Sequence, residues 1–64
     1  MTKKVCMIVT NGFEEIEAIG TFAILRRGGL DVDIYSLAGS EATGRFGVTC
    51  AQLLPFEKLD AAHY

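Results

Sequence analysis

One junction limits what this chain can fold into. The run VCMIVT at residues 5–10 stops at Asn11-Gly12, and three carboxylates, Glu14, Glu15 and Glu17, follow at once. The run is short, rich in β-branched residues and lacks alternation, which fits a strand covered on both faces of a parallel sheet. Asn-Gly is a turn signal. Acids directly after it suit the first turn of a helix, where the helix dipole favours negative charge. Strand, tight turn and helix make the first half of a βαβ unit, and such folds gather ligands at the carboxyl ends of their strands. The acidic cluster therefore stands where chemistry is expected.

The spacing predicts a helix over residues 13–27. Ile16, Ile19 and Ala23 fall on one face, while Phe22, Ile24 and Leu25 carry apolar surface most of the way round. A helix of that kind is covered on more than one side. Arg26-Arg27 suit the negative end of its dipole, and Gly28-Gly29 supply a left-handed stop. Residues 31–37 predict a second parallel strand, and 38–44 read as loop. Residues 45–51 predict a weaker strand, half of a small hairpin or an edge piece. Pro55 predicts the first position of a helix, with residues 56–60 forming one or two turns. Residues 61–64 carry no stop signal.

Composition adds a size argument. Sixty-four residues, half of them hydrophobic and with two cysteines, bury little core alone. A lone βαβ piece this apolar leaves sheet edge and helix surface uncovered. The expectation is that residues 1–64 form the N-terminal portion of a single larger α/β domain. The rest of that domain, or a second polypeptide, then completes the fold.

A net charge of −2, with no basic stripe, argues against nucleic acid as a partner. No window of about 18 apolar residues is present, so no membrane partner is expected. The start MTKK-VCMIVT mimics a signal peptide, but its apolar run is short and acids replace a small-residue cleavage site. Two cysteines make no disulfide framework, so a cytoplasmic setting is expected.

Several chemistries can be weighed at the junction. A dinucleotide site would place G-x-G-x-x-G here, whereas carboxylates at the helix mouth repel phosphate. No cofactor is expected. For Glu14 and Glu15 the favoured account is a dipole effect. Glu17 lies a turn further in, between Ile16 and Ala18. A carboxyl group in apolar surroundings favours its neutral form and can donate a hydrogen bond. On the residues alone its structural and functional readings stand level. Cys6 and Cys50 lie in strand-like segments without a basic neighbour, so packing is the better account of both. His63 stands alone, and no metal site can be built from it.

The string N-G-F-E-E-I-E-A after the first strand, a helix ending L-R-R-G-G-L and a strand D-V-D-I-Y-S-L together resemble the ThiJ/PfpI superfamily (the DJ-one type). The resemblance covers residues 4–64 and is tightest over 5–37. It implies a flavodoxin-like α/β sandwich of about three times this length, of which the β-α-β, short-strand and α part is present here. It further implies a homodimer with chemistry centred on a cysteine at a strand-to-helix elbow. That cysteine and its histidine lie beyond residue 64 in this family pattern, and neither Cys6 nor Cys50 matches it. Glu17 matches the family glutamate that hydrogen-bonds the cysteine, and Gly12 and Glu14 match neighbouring loop or substrate-binding positions. Gly47-Val48 is similar to the family's small-strand segment, although Phe46 holds a place where Arg is common.

The implied activities for the complete protein are glyoxalase- or deglycase-like action on small reactive carbonyls, or oxidative-stress sensing. A small-molecule substrate goes with them. A non-catalytic chaperone or interaction member, and a peptidase-like member, are the alternatives. A receiver-like domain is disfavoured, because Thr10-Asn11 replaces the acidic pair expected at the end of its first strand. The 64-residue chain alone is not expected to be an active enzyme.

Overall fold

The computed structural model describes residues 3–64. Strand β1 (Lys4–Val9) pairs in parallel with β2 (Asp31–Ser36), Lys4 opposite Asp31 and Val9 opposite Ser36. Parallel strands need a crossover, and the helix supplies it. Residues Thr43 and Ala42 form the short strand β3 (Ala42–Thr43), which pairs antiparallel with β4 (Thr49–Cys50). A last strand, β5 (Leu54–Pro55), returns to the sheet beside β2 and gives the order β1-β2-β5. This is a small α/β unit with a parallel three-stranded sheet, a partial flavodoxin-like fold.

Side chains alternate across the sheet. Val5, Met7 and Val9 share one face with Val32 and Ile34, and the helix lies over it. Its first half, Ile16–Gly20, is a π-helical turn that runs directly into α1 (Thr21–Arg27). Beyond Arg27 the chain stops as Gly28-Gly29 predicts. Gly29 takes φ of +91°, its N–H donates to the Arg26 carbonyl, and the Leu30 N–H donates to the Leu25 carbonyl. These two bonds satisfy carbonyls that the helix end leaves free.

The opposite face carries Tyr35, which is buried, together with Asp33. Here the C-terminal segment folds back. Tyr64 Oη donates to Asp33 Oδ2 at 2.7 Å and shares a 2.8 Å hydrogen bond with Tyr35 Oη. Lys4 Nζ lies 3.3 Å from the same carboxylate and 5.5 Å from the centre of the Tyr64 ring. The fully enclosed core is small, comprising Val32, Tyr35, Ala42 and the hydroxyl-bearing Ser36, whose Oγ accepts the Ala38 N–H.

Four expectations from sequence are corrected. The helix begins at Ile16 rather than at residue 13, because the Glu14 carboxylate takes up N–H groups at its start. Its packed face is not Ile16, Ile19 and Ala23. The π turn closes i→i+5 bonds and shifts the register, so Ala18, Phe22 and Leu25 are half-buried while Ile16 is 80% exposed and Ala23 is exposed. Of the expected three only Ile19 reaches the cleft against Ile34. Residues 45–51 do supply half of a small hairpin, as expected, but the strand is only Thr49–Cys50: 45–48 make the hairpin turn, with Gly47 at φ +93°. Pro55 does not open a helix but ends β5 with ψ of 139°, and of the one or two turns expected over residues 56–60 one forms, the 3-10 turn Phe56–Lys58. A second 3-10 turn, Ala61–His63, is capped by the Asp60 carboxylate, which accepts the Ala62 N–H.

Candidate functional site

The site grows from the carboxyl end of β1. Asn11-Gly12 makes the predicted turn, with Gly12 at φ +89°, a conformation that residues with a Cβ adopt at a cost. The turn is stitched to the β3–β4 hairpin. Gly12 N–H donates to the Thr43 carbonyl at 2.8 Å, and Asn11 Oδ1 accepts the Thr43 N–H at 2.9 Å. Arg45 N–H donates to the Phe13 carbonyl at 2.9 Å. Backbone groups left over by the turn are thereby satisfied by the hairpin.

The three glutamates then separate by role. Glu14 accepts the Glu17 N–H at 2.9 Å and the Ile16 N–H at 3.3 Å, so it caps its own helix. Glu15 points the other way, and its Oε2 accepts the Phe46 N–H at 3.0 Å and the Val48 N–H at 3.1 Å. Partial burial works to raise the Glu15 pKa. The N–H groups of Val48, of Glu15 itself and of Phe46, with the Arg45 charge, outweigh it and hold the carboxyl below its usual range. Gly44 is buried directly against this carboxylate, and a Cβ there would overlap the Glu15 carboxyl group.

Glu17 is exposed, and among the described residues its carboxylate enters no hydrogen bond or ion pair. Only its backbone N–H is used. The apolar surroundings expected from sequence are therefore not supplied by residues 3–64. Glu17 sits one turn along the same helix face region as the capped start, on the π segment. Such π turns recur at functional sites.

Sequence reasoning gave Glu15 only the dipole account and did not single out Gly44. Their partners lie 31 residues apart in the chain, and no local pattern marks that pairing. Cys6 and Cys50 are both free thiols and half-buried. Cys50 lines an open cleft of about 590 Å3 with Ile19, Phe22, Arg26, Leu53 and Leu54. Arg26 is engaged there, its Nη2 donating to the Val32 carbonyl at 2.9 Å. His63 Nε2 lies 3.4 Å from Asp60 on the surface, far from the glutamates in sequence and at the end of the turn that Asp60 caps. Among the described residues no group of three His, Cys, Asp or Glu could hold a metal ion. No helix among them is long and apolar enough to cross a membrane.

A parallel α/β sheet whose first strand feeds an acid-rich helix start, clamped to a small hairpin, places the chain in the flavodoxin-like class. It belongs to the DJ-1/PfpI family, whose model matches residues 3–64. No curated protein matches the chain.

Proposed function

We propose that this chain is the N-terminal portion of a DJ-1/PfpI-type protein whose complete form performs cysteine-centred chemistry on small reactive carbonyls, glyoxalase- or deglycase-like, or responds to oxidants. Its nucleophile lies beyond residue 64, and Glu17 is the carboxyl group that supports it. What supports this reading is the division of labour among the acids. Glu14 and Glu15 are both occupied by backbone N–H groups, whereas the Glu17 carboxylate is free at the carboxyl end of β1. Gly12 allows the tight turn that brings the helix start to that strand end. Once the rest of the domain covers it, a carboxyl group at this place can donate its O–H to a thiolate sulfur, which lowers the thiol pKa and favours the oxidised sulfinate.

The test is the pH profile of iodoacetamide reactivity in the complete protein, compared with Glu17→Gln and Glu17→Leu. A hydrogen bond to a charged group contributes roughly 1.5–3 kcal/mol. Its loss in Glu17→Leu therefore raises the thiol pKa by about one to two units. Glu17→Gln keeps a donor and shifts the profile less. Three superimposable profiles would leave Glu17 as a helix acid and remove the reading.

A second reading, a non-catalytic chaperone or interaction member, draws on Ile16 and Phe46, which are 80% and 73% exposed beside the glutamates.

A further inference from the structure

We propose that Glu15 is a positioning residue: its carboxylate locks the β3–β4 hairpin onto the first helical turn and thereby fixes where the Glu17 carboxyl group stands. The inference rests on the reading of Glu17 as the group that supports the nucleophile.

The geometry is specific. Glu15 immediately precedes the π segment that carries Glu17, and its Oε2 accepts two N–H groups from the hairpin turn, those of Phe46 and Val48. The turn itself is tight, with the Gly44 N–H donating to the Val48 carbonyl at 2.9 Å and the Gly47 N–H to the Gly44 carbonyl at 3.1 Å. Gly44 lets this turn close directly on the carboxylate, since any Cβ would collide with it. Three further bonds, from Gly12, Thr43 and Arg45, tie the preceding loop to the same hairpin. Hairpin, loop and helix start thus form one hydrogen-bonded body in which Glu15 is the link nearest Glu17. Without that link the hairpin still holds the loop as far as Phe13, and Glu14 still caps the Glu17 N–H, but neither fixes the direction in which the π segment leaves the loop. A hydrogen bond to a thiolate needs its donor held to within about half an ångström, so a freed helix start loses it.

The experiment measures the pH profile of iodoacetamide alkylation in the complete protein for wild type, Glu17→Leu, Glu15→Ala, Glu15→Gln and Gly44→Ala, each checked for native circular dichroism. Glu15→Ala removes both acceptors. Gly44→Ala pushes the same contact apart from the hairpin side. Both are expected to slow alkylation below the thiol pKa by roughly tenfold, toward the Glu17→Leu profile. In Glu15→Gln a side-chain carbonyl in the place of Oε2 still accepts both N–H groups, and most of the wild-type profile returns. If Glu17→Leu shifts the profile but Glu15→Ala and Gly44→Ala, still folded, do not, the positioning role is overturned and the role of Glu17 stands. If Glu17→Leu leaves the profile unchanged, the reading of Glu17 falls and the positioning role falls with it, whatever the Glu15 variants do. Should Glu15→Ala not fold, the Gly44→Ala and Glu15→Gln pair decides: equal shifts in the two overturn the inference, because only one of them breaks the clamp.

Discussion

At the contact between Glu15 and Gly44, a carboxylate and a bare backbone occupy space that one added methyl group would fill. Gly44→Ala is therefore an overpacking change, expected to cost about 1–3 kcal/mol, read as a lower denaturation midpoint at unchanged slope. The carboxylate also gives the contact a pH dependence. Because folded Glu15 releases its proton more readily than the unfolded chain does, its bonds stabilise fully above the ordinary glutamate range and are lost as pH falls through the lower folded value. On the other sheet face Asp33 follows the same sign. The Tyr64 hydrogen bond, then Lys4, hold its carboxyl below the usual value against partial burial, while the Asp33 carboxylate keeps the proton on Tyr64 and pushes that phenol upward. Tyr64→Phe removes the bond to Asp33, so the Asp33 carboxyl should titrate at higher pH in a carbon-detected NMR titration of the complete protein. An unmoved titration would mean that the Lys4 and Arg26 charges set it without Tyr64. None of these pairings was legible in the sequence, since Tyr64 and Asp33 are 31 residues apart and neither belongs to a local motif.

Among the elements, legibility follows locality. The first strand, the Asn-Gly turn, the glycine stop and the second strand are each specified by neighbours in sequence, and each was predicted to within about two residues. The hairpin and β5 are two-residue pairings held by tertiary contacts, and their patterns read as a weak strand and a helix start instead. The helix shows a subtler failure. Its extent was close, but periodicity assumes 3.6 residues per turn, and the π segment breaks that count. Ile16 and Ile24, 80% and 69% exposed, are thus left outward. We propose that this outer surface meets a second copy in the complete protein. Gly20 gives a clean probe, since a Cβ there would meet only Ile16 Cγ2, at 4.0 Å. Gly20→Glu is therefore tolerated within the chain and should shift the complete protein toward monomer in sedimentation velocity. A dimer of unchanged stability would show that the helix is covered within its own subunit.

For the whole molecule, surface area decides. A compact monomer of 6.9 kDa exposes about 4,000 Å2, whereas this chain exposes 4481 Å2. Its radius of gyration is 11.6 Å, against about 10.7 Å for a compact domain of its length. Among the described residues only Val32, Tyr35 and Ala42 are buried hydrophobics, while Ile8, Leu37, Leu54 and Phe56 are exposed on or beside the sheet. Among the described residues β1 pairs on one side only, so its other edge presents unpaired N–H and C=O groups along six mostly apolar residues. Surface of this kind is covered in stable proteins or drives association. Residues 1–64 expressed alone should accordingly bind a hydrophobic dye, associate, and show no cooperative thermal transition. The complete protein should show a sharp one, with slow hydrogen exchange at the β1 amides, because pairing and burial there raise the free energy of opening. A monodisperse 64-residue monomer that melts in one sharp step would overturn this, and would mean that three buried hydrophobic side chains and the hydrogen-bonded hairpin suffice to hold the fold.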